Sequence, residues 1–170
     1  MRIRKITPSD VSSAEKIYEA ARAFMRAAGN PDQWQNGYPG KKEILEDMAE
    51  GRSYVCEESG EVVAVFYFGE GPDPTYDKIY GGEWLNDEPY SVIHRIAVKY
   101  HGRGIVDFCF SECSRLADNL RIDTHKDNIP MQRVLKRAGF SECGTIYLKS
   151  GAPRIAFHKT KTKDKLGERI

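Results

Sequence analysis

The sequence predicts a mixed α/β fold: a twisted, mostly antiparallel sheet with a central parallel strand pair and helices on both faces. Three observations lead there. Residues 90–140 run strand, glycine loop, helix, strand, helix, and a strand–helix–strand unit makes its two strands parallel with a right-handed crossover. Apolar stretches at 53–68 and 140–158 each double back around a polar turn, so they read as hairpins flanking that unit. The chain opens with a further strand and a long amphipathic helix.

Taken in order, Arg2-Ile-Arg-Lys-Ile6 alternates polar and apolar residues, as a half-buried strand does. Thr7 is placed to cap the helix that follows, with Pro8 at its first position and Asp10 bringing negative charge to the first turn. Val11, Ala14, Ile17, Tyr18, Ala21, Phe24 and Ala28 recur at helical spacing and predict one apolar face. Gly29-Asn30-Pro31 ends the run. Residues 32–40 are loop-like yet carry Trp34 and Tyr38, which either line a pocket or pack beneath the loop. A short helix is predicted over 41–50, with Ile44, Leu45 and Met48 on one face.

Strands at 53–57 and 62–68 are joined through Glu58-Ser-Gly-Glu61. The second is apolar throughout, which places it centrally with both faces covered. Residues 69–89, rich in Gly, Pro and Asp, form an excursion over the surface that holds Tyr76, Tyr80 and Trp84. Beyond it come a strand at 91–98, a loop at 101–104 and a helix at 105–117, whose inner face is Val106, Cys109, Phe110, Cys113, Leu116 and Ala117. A strand at 120–124 leads to a helix capped by Asn128, with Pro130 in its first turn, Met131, Val134, Leu135 and Ala138 inside and Gly139 at its stop. The hairpin of 140–148 and 154–158 completes a single domain over 1–160, followed by a charged tail at 161–170. Its outer edge offers a strand to a second copy, the basis for expecting a homodimer.

Composition narrows the function. The 170 residues carry 26 basic and 25 acidic side chains, a net charge of +1, which is no nucleic-acid footprint. No apolar run approaches the roughly 20 residues of a membrane helix, and Met1-Arg-Ile-Arg-Lys5 lacks the apolar stretch of a signal peptide, so a cytoplasmic location and no membrane partner are expected. Cys56, Cys109, Cys113 and Cys143 read as free thiols in that reducing compartment. Cys109 and Cys113 share a helix face, where core packing is expected and no metal.

The chemistry concentrates at two places. Where the strand 91–98 passes through His101-Gly-Arg-Gly104 into a helix, backbone N–H groups lack intrahelical partners and favour an anion such as a pyrophosphate. Gly102 and Gly104 would let the backbone come close to it. This segment resembles the acetyl-CoA loop of GNAT N-acetyltransferases, Q/R-x-x-G-x-G/A, with His101, Gly104 and Val106 at the three marked positions. Residues 121–140 are similar to the same family's N-x-x-A-x-x-x-Y-x-x-x-G-F element. Asn128, Gly139 and Phe140 are in register there, Met131 stands for Ala, and Leu135 occupies the position where many members have a tyrosine that protonates the departing thiolate. The order of elements fits nearly the whole chain.

The resemblance implies acetyl-CoA as acyl donor, with no metal. Backbone groups of Ile96, Ala97 and Val98 would meet the pantetheine arm and the thioester carbonyl, where preorganised donors count most in acyl transfer. His101, Gly102, Arg103, Gly104, Ile105 and Val106 would cradle the pyrophosphate, and Asn128 would contact the arm. An amine acceptor must lose a proton, since a lysine-like amine has a reference pKa of about 10.4. His94, two residues before Ile96 and so expected on its face, and His125, at the end of the neighbouring strand, are candidate bases, and Tyr147 a candidate acid toward sulfur. Each has a packing alternative, and Arg121 and Asp123 have the alternative of pairing with each other. Trp34, Tyr38, Tyr80 and Trp84 either frame the acceptor or pin their loops. The expected function is transfer of acetyl from acetyl-CoA to a small primary amine by direct attack in a ternary complex. The alternatives are a CoA-binding sensor without turnover, suggested by His101, Val106 and Leu135, or an enzyme acting on a protein N-terminus or lysine.

Overall fold

The computed structural model describes residues 1–161, so the predicted tail, Lys161 apart, lies outside the described residues. Seven strands form one sheet in the order β1-β2-β3-β4-β5-β7-β6. They are β1 (Arg2–Lys5), β2 (Ser53–Glu58), β3 (Glu61–Glu70), β4 (Ser91–Val98), β5 (Asn119–Thr124), β6 (Ser141–Tyr147) and β7 (Pro153–Thr160). The helices are α1 (Val11–Ala27), α2 (Lys41–Ala49), α3 (Ile105–Leu116) and α4 (Ile129–Arg137). Every neighbouring pair is antiparallel except β4 and β5.

β3 takes the central place its apolar run predicts, and its side chains alternate between two cores. Ala64, Phe66 and Phe68 face one built with Ile93, Ile96, Val98, the inner stripe of α3 (Ile105, Cys109, Phe110, Cys113) and Leu135 of α4. Val65 faces the other, with Val55, Ala97, Ile44 of α2 and the α1 residues Ala14, Ile17, Tyr18 and Ala21. Beyond α1 and α2 this second face is covered by the 71–90 excursion, whose Tyr76 is buried against Tyr67, Val92, Ile146 and Ala156. All four cysteines are free and buried.

Some side chains depart from the predicted faces. Thr7 directs its hydroxyl to the Asp10 carboxylate (2.8 Å) and caps no helix amide, because residues 8–10 form a 3-10 turn ahead of α1. Leu45 and Leu116 are exposed, the second at the very end of α3. Phe24 is also exposed and lies flat on His101, ring centroids 3.9 Å apart. Arg121 pairs with no carboxylate among the described residues: its guanidinium lies over the rings of Trp84 (4.1 Å) and Tyr90 (3.9 Å) and donates to the Asn86 carbonyl.

Two of the contacts that fasten the excursion lie between residues 80 and 85. Tyr80 and Thr145 exchange backbone hydrogen bonds of 2.9 and 2.8 Å, so the outer edge of β6 is occupied there by the chain itself. A Cβ on Gly82 would stand 1.9 Å from the Cys143 carbonyl oxygen, a contact that only glycine permits. The second fastening is buried His158. Its Nδ1 accepts from the Leu85 amide (3.2 Å), so Nε2 carries the proton and donates to Asn119 Oδ1 (3.1 Å).

Both fastenings yield predictions. Gly82→Ala should cost about 1–3 kcal/mol, as overpacking against backbone does, and each kcal/mol lowers the melting temperature of a domain this size by about 2–4 °C. An unchanged melting curve would remove the close contact. Burial, then the Arg121 charge, pushes the His158 imidazole down from 6.5 to about 4. The unfolded chain therefore binds the extra proton first as pH falls, and the stability tied to neutral His158, complete above about 6.5, drains away toward pH 4. Thermal melts at pH 7.5 and 4.5 should show a smaller acid-induced drop in His158→Gln than in the native chain; equal drops would contradict this.

Candidate active site

β4 and β5 are registered at only two positions, Ser91 with Leu120 and Val92 with Arg121, and then part. The departure coincides with a bulge in β4. Tyr67 lies opposite His94 and Val65 opposite Ala97, so Phe66 faces two residues, Arg95 and Ile96. Arg95 takes up the extra length with a φ of 53°, a left-handed conformation that costs a non-glycine residue about 1–3 kcal/mol. Its side chain offsets that cost: Nη2 donates to both Asp47 carboxylate oxygens (2.8 and 2.6 Å), Nη1 reaches the Tyr38 hydroxyl (3.3 Å), and the guanidinium lies 5.4 Å from the Tyr67 ring centre.

Two consequences follow for β4. Lys99 donates its amide to Val63 of β3 (2.8 Å), so by strand alternation Val98 and Ile96 aim their backbone groups the other way, into the gap beside β5. The bulge also breaks the side-chain period. Ile93, Ile96 and Val98 share one core, while the His94 ring lies against Tyr67 and Tyr76 at 5.4 and 5.8 Å on the opposite face. The expectation that His94 shares a face with Ile96 and Val98 is therefore corrected.

The parting opens a cavity of about 420 Å³ that reaches both faces of the sheet. Trp34 and Tyr38 enter it from the 32–40 loop, Asp73 and Thr75 from the excursion, and Asn128 and Met131 from α4. His94, Arg95, Ile96, Ile122, Asp123 and Thr124 line its floor, with Leu148 and Arg154 beyond. The Thr124 hydroxyl is buried without a protein partner among the described residues.

Asp73 is the acidic residue that reading the sequence missed. It caps the short turn Pro74–Tyr76 by accepting from the Thr75 amide (2.9 Å) and hydroxyl, and its other oxygen lies 2.7 Å from His94 Nε2. Burial alone would raise its pKa, but the hydrogen bonds from His94 and Thr75 outweigh it and hold the carboxyl at about 2. An ionised carboxylate only accepts, so His94 donates through Nε2–H, and the tautomer this selects has its lone pair on Nδ1. That nitrogen stands 3.9 Å from Asp123 Oδ1, which accepts from the Tyr76 hydroxyl (2.6 Å). Burial, with Asp123 beside it, pushes the Tyr76 hydroxyl well up, so it remains a donor.

The other candidates fall elsewhere. His125 is buried outside the cavity lining, and its Nδ1 accepts the Asp127 amide (3.0 Å). Burial, then the charge of Arg154, lowers its pKa, so the ring is neutral and serves the turn into α4. Tyr147 is half-exposed on β6, edge-to-face with Tyr80 (5.4 Å), on the far side of Thr75 from the cavity. Trp84 donates to the Tyr76 carbonyl (3.0 Å) and pins the excursion without touching the cavity. Asn128 divides its side chain: Oδ1 caps α4 at Met131 (3.2 Å) and Nδ2 donates to Gln33 (2.9 Å).

At the start of α3, Gly102 and Gly104 have φ of 72° and 70°, and a Cβ on either would meet nothing within 4 Å. Glycine is required here by conformation, and the space in front of the loop is open. The first amides of α3 lie at this loop without intrahelical partners, while Val106 packs onto the core. Arg103 is drawn aside to Glu58 (2.9 Å) and over the Tyr100 ring (4.7 Å). Among the described residues no group of three His, Cys, Asp or Glu side chains is placed to hold a metal, and no helix is long and apolar enough to cross a membrane.

No protein-family model and no curated protein matches the sequence. Among solved structures, a GNAT-family acetyltransferase from Streptococcus agalactiae is 33% identical over 95% of this chain and 96% of its own, with a TM-score of 0.88. A ribosomal-protein-alanine N-acetyltransferase from Brucella melitensis is 20% identical over 94% of this chain and 99% of its own, TM-score 0.61. A Salmonella typhimurium protein assigned as an acetyltransferase and solved with its cofactor acetyl-CoA is 15% identical over 99% of this chain and 98% of its own, TM-score 0.59. These last two show the shared fold.

Proposed function

Because the chain belongs to the GNAT family of acetyltransferases, we propose that it moves an acetyl group from acetyl-CoA to the primary amine of a small acceptor by direct attack in a ternary complex. One observation carries the reading. Around one cavity lie Ile96, on the parted edge of β4, and a carboxylate-held imidazole, His94.

Features of this chain fit acetyl-CoA. The gap between β4 and β5 offers unpaired strand groups, the orphaned Thr124 hydroxyl borders it, and the α3 amides with Gly102 and Gly104 face open space for a pyrophosphate. When bound, acetyl-CoA supplies the activated acyl group. Ile96 and Val98 direct the strand's donors and acceptors at the pantetheine arm and the thioester carbonyl oxygen, and Asn128 borders the same space.

His94 receives the amine's proton at Nδ1, while Asp73 fixes the ring and Asp123 faces the charge that develops. Across the reaction a C–N bond forms as the C–S bond breaks, one proton leaves the amine and one reaches the sulfur. Leu135 is fully buried in the core, so no hydroxyl stands at that point of α4. The side-chain hydroxyls bordering the cavity are those of Tyr38, Tyr67, Thr75 and Thr124.

Incubation with acetyl-CoA and a panel of amines, following free thiol, tests the proposal. Turnover is expected; CoA binding without turnover across the panel would favour the sensor. His94→Ala should lower kcat about 100-fold or more, the scale of general-base catalysis, and leave the KM for acetyl-CoA nearly unchanged. An unchanged kcat would take His94 out of the mechanism.

A further inference from the structure

One cation in the cavity makes no ion pair among the described residues. Arg154, on β7, is 7% exposed and lines the cavity. Its Nη1 donates to the Pro153 carbonyl (2.9 Å) and its Nη2 to the Gln33 carbonyl (3.3 Å). Among the described residues no carboxylate lies within 4.0 Å of it, whereas Arg95 in the same cavity is held by Asp47 at 2.6 Å. A guanidinium has five N–H donors in a planar fork, so those aimed at the cavity remain free. Burying such a charge unpaired is costly. Burial lowers the Arg154 pKa, with the Asp123 carboxylate opposing it from beyond ion-pair distance, yet no arginine loses its proton in the accessible range. The charge persists, and its natural complement is an anionic group brought by a ligand.

The location says which ligand. Asp123 is registered opposite Ala156, so Arg154, two residues along β7, is its diagonal neighbour on the same face, with about 7–8 Å between such positions. Asp123 in turn stands 3.9 Å from His94 Nδ1, where the amine is deprotonated. Two carboxylates, Asp73 and Asp123, therefore mark the amine end of the cavity and one unpaired guanidinium lies a few bond lengths beyond. The cofactor's own anionic groups have their place at the α3 amides, on the other side of the parted strands.

We propose that the acceptor is an amino acid-like molecule whose carboxylate is bound by Arg154 while its amine lies between His94 and Asp123. The inference rests on the acetyltransferase reading for its chemistry, though not for its binding step. Gln33 positions the fork through its carbonyl and is itself fixed by Asn30 and Asn128, which both donate to its side-chain oxygen (2.8 and 2.9 Å).

The test pairs each amino acid with its own primary amide, which keeps the amine and removes the anion. The panel covers the α-amino acids and straight-chain ω-amino acids. Free thiol is followed at saturating acetyl-CoA with the native protein, Arg154→Gln and Arg154→Lys, and binding of the same compounds to the CoA-saturated protein is measured by calorimetry. The expected result is a preference for at least one acid over its amide that shrinks about 10- to 100-fold in Arg154→Gln, the scale of a charge-assisted hydrogen bond, and is partly restored in Arg154→Lys. Turnover without such a preference, or a preference that survives in Arg154→Gln, overturns the inference and leaves the acetyltransferase reading standing. Acids that bind in an Arg154-dependent way without thiol release would uphold the inference and sink that reading. Neither binding nor turnover of any acid overturns both. A circular dichroism melt matching the native protein's qualifies each variant.

Discussion

A parallel strand pair that begins in register and then separates has to be held apart, since two exposed strand edges would otherwise close on each other. Here β4 and β5 stay together for two residues. The separation is built into β4 by the left-handed turn of Arg95, and that turn is held by the bidentate ion pair to Asp47 on α2. The opened edge, the cavity floor and the reversed direction of the His94 side chain all depend on this one residue. Asp47 belongs to the site for the same reason: it touches no reacting group in the proposal, yet the fork it grips keeps β4 bent.

From that opening the site divides by charge. Acidic groups gather at one end, where Asp73 and Asp123 flank His94, and the unpaired guanidinium of Arg154 stands next to them. Across the sheet an anion site is offered by the backbone amides at the start of α3, fronted by glycines whose positive φ disfavours other side chains. In the proposed reaction this separation would sort a polyanionic donor and a zwitterionic acceptor to opposite sides of the parted strands. The His94–Asp73 bond adds direction, as an ionised carboxylate fixes which ring nitrogen carries the proton.

Much of this fold was legible in the sequence because its elements carry local signals. The glycine loop and the shared helix stripe of Cys109, Phe110 and Cys113 mark α3, Asn128 and Gly139 bracket α4, and the unbroken apolar run of β3 places it inside the sheet. The face of His94 was not legible. Strand period assumes regular pairing, and nothing in Ser91-Val-Ile-His-Arg-Ile announces that Arg95 is a bulge. Asp73 was hidden for a related reason: it lies in a segment that reads as a surface excursion, and only its Asp-Pro-Thr sequence hints at a capped turn. Arg154 did leave a trace, an arginine alternating with Ala156 and His158 on one face of a strand, but its lack of a counter-ion is a property of the folded cavity. His125 and Tyr147 drew attention by residue type at plausible positions, and packing assigns the first to a turn and the second to the sheet edge.

The central claim is that the parted edge of β4 and the amides entering α3 hold the acyl donor. Backbone amide resonances report on this without any assumption about the acceptor. On titration of the protein with CoA, the amides of Ile96, Val98, Gly104 and Ile105 should shift together and saturate at one stoichiometric equivalent, while those of β1 and β2 stay still. Saturable CoA binding that left those four amides unmoved, or no binding at all, would contradict the account.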